Sequence, residues 1–187
     1  MKLKLAIGKY LMHQEMNRNP RKVNVVNLAQ AKTIGMTYNA TNRQDYELVK
    51  KFTKYLKEKG KSVISLGYID SKDPGLLRNT QLDYRFFTKK DLNWYFKPNC
   101  LEVNNFLERR FDILLDLGIE YCFPLKYICG LSKAGFKVGP SDNNAKEFYD
   151  MMIDVGKNKT LENFLKNVDV YINMVNKKKQ NTTDIDA

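Results

Sequence analysis

The sequence predicts an α/β domain, a Rossmann-like three-layer sandwich with a mainly parallel sheet of about five strands and a basic helix in front of it. Short β-rich or apolar runs alternate with amphipathic helical stretches along most of the chain, as they do in consecutive βαβ units. The length of 187 residues fits one domain, and 43% hydrophobic residues suffice for a core without covalent staples. The doubly wound rule then predicts the strand order 3-2-1-4-5.

The first 19 residues predict a basic amphipathic helix that ends before Pro20. Its apolar residues at helical spacing are Leu3, Ile7, Tyr10 and Leu11. Its cations are Lys2, Lys4, Lys9 and Arg18. We predict that residues 1–22 form a separate unit that docks on an anionic surface or a partner. The alternative is that the apolar residues cover one end of the core.

A βαβ unit follows. Residues 33–38 form a β-rich run, and residues 39–42 have the turn chemistry that caps a helix. The helix to residue 59 places Tyr46, Val49, Phe52 and Leu56 on one face, and Gly60 ends it. Residues 62–70 are almost continuously apolar, as in a strand that is covered on both faces. Such crossovers are nearly always right-handed and join parallel strands.

The second half continues the alternation up to residue 176. A third strand is predicted at 82–87, and Thr88 and Asp91 have capping-box spacing for a helical turn at 89–95. Helices are predicted at 101–110, 124–134 and 161–175. Further strands are predicted at 111–116, 135–139 and 151–155. The domain therefore spans residues 23–176, and 177–187 form a polar tail.

Composition narrows the functional classes. The net charge of +11 favours an anionic partner such as a phosphate-bearing ligand, a nucleic acid or an acidic membrane surface, and a protein partner stays open. The three cysteines form no CxxC pair, so a disulfide framework and a zinc knuckle are disfavoured and a cytoplasmic location is expected. His13 is the only histidine and lies far from every cysteine in sequence, which disfavours Ser–His–Asp and Cys–His chemistry. We expect no metal, no cofactor and no transmembrane segment.

Candidate ligand-binding residues follow the strands, because ligands of parallel sheets bind outside the carboxyl ends of the strands. They are Asn39, Thr41, Asn42, Asp70, Asp116 and Glu120. No GxGxxG or P-loop glycines accompany them. The alternative is that Thr41 and Asn42 only cap a helix, while Asp70 and Asp116 only accept hydrogen bonds from loop amides. The aromatic run 94–96 is interpreted as core, with base stacking as its alternative.

Three stretches carry a resemblance: DYELVKKFTKYLKEKGKSVISLGYID, FFTKKDLNWYFKPN and FDILLDL with FPLKYICGLSKAGFKVG. They resemble a family of uncharacterised proteins from Bacteroidota along nearly the whole chain, which implies no activity. Residues 111–139, with Asp116-Leu117 after a strand, are also similar to the N-terminal half of heptosyltransferase-type glycosyltransferases. That resemblance implies a Rossmann-like fold. The chain is too short for the second half, which holds most of the sugar-nucleotide site, so catalysis by that route is not expected.

The leading hypothesis is a cytoplasmic, non-catalytic binding module for an anionic ligand or partner. One alternative is a transferase of glycosyl or nucleotide-linked groups that acts with a second subunit. Another is an RNA- or ribosome-associated protein, which depends on charge alone because no RNP, KH or zinc-finger pattern is present. Association with a second copy of the chain stays open.

Overall fold

In the part of the chain that the structure describes, the central sheet has six strands, all parallel, in the order β3-β2-β1-β4-β5-β6. The structure is a computed structural model and describes residues 2–71, 83–142 and 145–175. The strands are β1 Thr33–Asn39, β2 Ser62–Ile69, β3 Tyr84–Thr88, β4 Ile113–Asp116, β5 Phe136–Pro140 and β6 Met151–Ile153. The predicted parallel sheet and the order 3-2-1-4-5 are confirmed, and β6 extends the sheet beside β5. The predicted tail 177–187 and position 82 lie outside the described residues.

Helices cover both faces of the sheet. They are α1 Lys2–Arg18, α2 Arg43–Glu58, α3 Leu101–Leu107, α4 Phe123–Leu131 and α5 Leu161–Met174. One core cluster joins the sheet to α2 and α5, through residues such as Val49 and Phe164. A second cluster joins the opposite face to α1, α3 and α4, through residues such as Met12, Phe106 and Ile128. The three layers of the predicted sandwich are therefore confirmed.

Local signals in the sequence set most element boundaries. The side chain of Asn42 caps α2 by accepting a hydrogen bond from the backbone N–H of Gln44. Gly60 follows that helix with a φ of 75°, in the left-handed region that glycine adopts without strain. Thr88 and Asp91 form the predicted capping box, but it opens only a single 3-10 turn, Lys89–Asp91, instead of a helical turn that reaches residue 95.

Helix α4 begins with Pro124 in its first turn, as predicted, but ends at Leu131 instead of residue 134. Ser132 has already left the helical conformation, with φ −58° and ψ 137°. The buried side chain of Lys137 donates hydrogen bonds to the carbonyl oxygens of Cys129 and Gly130, at 2.5 and 3.1 Å, and closes the helix there. Helix α3 is likewise shorter than predicted and ends at Leu107.

Helix α1 lies against the second core cluster, but with a face that the sequence did not indicate. Leu3 and Tyr10 of the predicted apolar stripe are 74% and 63% exposed, whereas Met12 is fully buried. Gly8 lies directly against the carbonyl oxygen of Tyr95. The prediction is therefore wrong for Leu3 and Tyr10. The contact face is built from Gly8 and Met12, with Leu5 and Met16 packed beside them. Among the described residues, no helix has the length and apolarity that a membrane span requires.

Polar contacts hold α1 in place as well. The carboxylate of Glu15 accepts hydrogen bonds from Lys97, at 2.8 Å, and from the hydroxyl of Tyr127, at 2.7 Å. His13 Nε2 lies 2.5 Å from the Glu147 carboxylate. The expectation that α1 lies outside the core is therefore wrong for Met12, although a boundary near residue 22 remains a proposal.

Candidate functional site

A crevice of about 690 Å³ opens where the strand order of the sheet reverses. Strands β1 and β4 are neighbours there: the chain proceeds from β1 through β2 to β3 on one side, and returns to β4 on the other. Asn39 at the end of β1 and the segment 120–124 after β4 line the crevice. This is the position at which open parallel sheets bind ligands. Lys2 and Leu5 of α1 form its outer edge.

Four aromatic side chains make the crevice walls: Tyr68, Phe96, Tyr121 and Phe123. Tyr68 belongs to β2, and Phe123 begins α4. Phe96 has a φ of 69°, the one positive value among non-glycine residues in the part of the chain that the structure describes. A bulky side chain in this conformation is strained, and such residues concentrate at binding sites. The loop between Leu92 and Pro98, which pair as an isolated β-bridge, therefore holds Phe96 in a costly but defined place.

An ion pair belongs to the crevice lining. Lys89 lies 2.9 Å from the Asp70 carboxylate, and the Tyr68 hydroxyl donates a hydrogen bond to Asp70 at 3.0 Å. The hydrogen bond from Lys89 and that from Tyr68 hold the pKa of Asp70 below its usual range, against the opposing effect of partial burial. Lys2 and Glu120 complete the charged lining.

Of the six predicted strand-end residues, Asn39, Asp70 and Glu120 line this crevice. Thr41 does not line it, but its hydroxyl accepts a hydrogen bond from the backbone N–H of Asp70 at 2.8 Å and so fixes that residue. Asn42 caps α2 instead. It lies with Asn39 and Glu120 in a second opening of about 640 Å³, between the first turns of α2 and α5.

Asp116 does not line the crevice, because it is fully buried at the end of β4. Its Oδ2 accepts hydrogen bonds from Lys126 at 2.7 Å and from the Tyr149 hydroxyl at 2.6 Å. Its Oδ1 accepts from the backbone N–H of Gly118 at 3.0 Å and from Thr37 at 3.2 Å. Four donors thus satisfy one carboxylate.

This buried network positions the loop after β4. Burial by itself raises the pKa of Asp116, but the Lys126 ammonium, the Tyr149 hydroxyl and the Gly118 amide outweigh that effect and keep the pKa below its usual range. The carboxylate is therefore ionised at neutral pH and holds Gly118, two residues before Glu120. Asp116 thus holds the loop that ends in Glu120 and does not itself line the crevice, and its predicted contact with a ligand stays a prediction.

Sequence reasoning missed Lys126, Tyr149, Tyr68 and Lys89. A signal existed for Lys126, since it is the one charge in the apolar helix FPLKYICGL, and a lone charge in such a run requires a buried partner. Phe96 belongs to the aromatic run that was interpreted as core, but Trp94 in that run is 59% exposed.

The thiols near the site are not poised for nucleophilic chemistry. Burial raises the pKa of Cys122, which lines the crevice, to about 12, so its thiol stays protonated at neutral pH. In the described ranges, no three or more His, Cys, Asp and Glu side chains are grouped so that they could hold a metal ion. Independence from a metal or cofactor remains a prediction.

The role of Asn42 as the cap of α2 can be tested by mutation. Asn42→Ala is expected to lower the free energy of unfolding by about 1 kcal/mol, because the backbone N–H of Gln44 loses its acceptor. The measurement is urea unfolding followed by circular dichroism. Asn42→Asp, which keeps an oxygen acceptor, is the matched control and should lose much less. Equal losses in both variants would contradict the capping role.

A comparison with protein-family models matches residues 4–175 to a family described as "Family of unknown function (DUF6913)". The match spans both core clusters and every segment that lines the crevice, apart from Lys2. No curated protein and no solved structure matches the chain.

Proposed function

The chain belongs to the DUF6913 family of unknown function, and we propose that it is a binding module whose crevice takes a small organic anion with a flat ring. The observation that carries this proposal is the meeting of four aromatic walls at the switch point of the sheet, one of them the strained Phe96. The crevice volume of about 690 Å³ suits a small molecule.

The walls favour a flat ring. Aromatic side chains stack on planar groups and exclude water from them, and base–aromatic stacking contributes about 1–3 kcal/mol per ring. The backbone strain at Phe96 costs free energy, and packing alone does not require this conformation. The strain therefore supports a role for the Phe96 side chain in binding.

The charges around the crevice favour an anionic group on the ligand. Lys2 and Lys89 line it, and the ammonium of Lys9 lies 5.2 Å from the centre of the Tyr121 ring. The first turn of α4 also faces the crevice, and helix N-termini carry a partial positive charge. Asp70 and Glu120 are acceptors for N–H or O–H groups of the same ligand.

The test uses 8-anilinonaphthalene-1-sulfonate, a fluorescent anion with flat rings, on the folded protein. We expect saturable binding at one site, and Phe96→Ala should weaken it about tenfold, because one stacking contact is lost. Trp94→Ala is the matched control, since Trp94 lies in the same loop but is exposed and does not line the crevice.

Two further measurements sharpen this test. Lys89→Gln should weaken the sulfonate probe but not the neutral N-phenyl-1-naphthylamine, because only the first carries an anion. The proposal is wrong if Phe96→Ala and Trp94→Ala have equal effects, or if the probe binds without saturation.

The alternative hypotheses predict different competitors in the same assay. A transferase of glycosyl or nucleotide-linked groups, as the heptosyltransferase-type likeness suggested, would bind a nucleotide sugar that displaces the probe, with Asp70 and Glu120 as available carboxylates. An RNA-associated protein would release the probe on addition of a short single-stranded RNA.

The three free cysteines fit the reducing cytoplasm in which we propose that the module acts.

A further inference from the structure

The second opening adjoins the crevice across the edge of the sheet. Asn39 at the end of β1 and Glu120 after β4 line both spaces. Helices α1 and α4 border the crevice on one face of the sheet, whereas α2 and α5 border the second opening on the other face. The two spaces therefore meet at the switch point, and a single ligand can occupy both.

The lining of the second opening differs from that of the crevice. Aromatic rings wall the crevice, but among the described residues no aromatic side chain lines the second opening. Leu48 and Ile119 contribute aliphatic surface to it. Amides and carboxylates lie there as well: Asn39, Asn42, Gln44, Asp45, Glu120 and Asn158. Such side chains form hydrogen bonds, so the second opening suits a different part of a ligand from the crevice.

Two carboxylates of this lining lie near each other without a partner. In the described part of the chain, neither Asp45 nor Glu120 forms a hydrogen bond or an ion pair through its side chain. Partial burial and the negative charge of Glu120 both raise the pKa of Asp45. A third carboxylate of the lining, Glu162, is already paired with Lys166 at 2.9 Å. Like charges without a cation between them cost stability, and such pairs concentrate at functional sites.

We propose that the flat-ring anion of the crevice carries a hydroxyl-rich group, such as a sugar ring, that lies in the second opening. This inference rests on the proposed function, since the crevice holds the ring to which that group is attached. Sugar hydroxyls donate to carboxylates and accept from amide N–H groups, and the lining supplies both in Asp45 and Asn158. An ammonium group would use the carboxylates alone, and Lys159 in the lining opposes it. A hydroxyl-rich group therefore fits better than a cation.

The experiment measures binding to the full chain by titration calorimetry for two matched pairs of compounds. In each pair, a carboxylate-bearing ring carries either a sugar or a methyl group at the same atom: orotidine with 1-methylorotate, and 4-carboxyphenyl β-D-glucoside with 4-methoxybenzoate. The sugar-bearing member of at least one pair should bind about tenfold more tightly, because a hydrogen bond to a charged carboxylate is gained. The pair with the larger gain shows whether a nucleoside or an aryl glycoside is the closer match. No gain in either pair overturns the inference.

Asp45→Ala tests the residue on which this gain depends. It should weaken binding of the sugar-bearing compound about tenfold and leave that of its methyl counterpart unchanged, because Asp45 lines the second opening but not the crevice. Glu47→Ala is the matched control, since it removes the same charge from the same helix but Glu47 lines neither space. Equal effects of the two variants would leave net charge as the cause and overturn the inference.

The sulfonate probe separates this inference from the crevice function. Asp45→Ala should leave probe binding unchanged, which also shows that the variant is folded. If the probe binds without saturation, or if Phe96→Ala and Trp94→Ala affect it equally, the crevice function fails and the inference fails with it. If the probe behaves as expected and the sugar brings no gain, the crevice function stands and only the sugar-binding role of the second opening fails.

Discussion

Replacing Lys126 with methionine is expected to lower the free energy of unfolding by about 3–5 kcal/mol, because Asp116 then keeps a buried charge without its ionic partner. Both side chains are almost inaccessible, and the Nζ–Oδ2 distance of 2.7 Å makes them a tight pair. Urea unfolding near pH 7, followed by circular dichroism, measures the loss. Lys166→Met is the surface control: that lysine is 71% exposed in a pair with Glu162, and its loss should stay within about 0.5 kcal/mol.

The pH dependence of the free energy of unfolding distinguishes the loss of the ion pair from a loss of packing. In the natural chain the pKa of Asp116 is lowered, so its stabilising contribution is present above about pH 4 and is lost as the pH falls further. In Lys126→Met, burial acts without the cation and the pKa of Asp116 should rise above its usual value. The deficit of the variant should therefore be largest near pH 7 and shrink towards about pH 5.

Removing both charges gives a second check on the same network. Asp116→Asn with Lys126→Met should cost less than Lys126→Met alone, since no charge remains buried without a partner. If the double variant loses as much as the single one, the deficit comes from the altered shape of α4 and not from the charge of Asp116.

Met12→Ala is expected to lower the free energy of unfolding by about 2–5 kcal/mol. Met12 is fully buried between α1 and the second core cluster, so truncation leaves a cavity there. The same urea titration measures the effect. Leu3→Ala on the same helix should stay within about 0.5 kcal/mol, because Leu3 is 74% exposed.

This pair of variants also tests whether residues 1–22 are a unit separate from the domain. If α1 only docked on partners, Met12→Ala would leave the unfolding of residues 23–176 unchanged. A single cooperative transition shifted by the substitution is the expected result, because Met12 and Glu15 connect α1 to the loop 92–98 and to α4.

The sequence by itself determined the class of fold, the order of the strands and most element boundaries. Those features depend on interactions between near neighbours and on periodicity: Asn42 caps the helix that follows it, Gly60 ends it, and the apolar run 62–70 fits a strand covered on both faces. The strand-end rule also placed Asn39, Asp70 and Glu120 at one crevice, because carboxyl ends of parallel strands share one edge.

Only the tertiary structure decided which residues meet across long sequence separations. The buried face of α1 depends on where Gly8 can approach the carbonyl of Tyr95, a close contact that hydrophobicity does not report. Asp116 became a buried, positioning carboxylate because Lys126 and Tyr149 reach it from two other elements. Phe96 entered the crevice through a strained backbone angle that its loop imposes. Each of these arrangements minimises the free energy of the whole packed domain, which no local pattern of residues encodes.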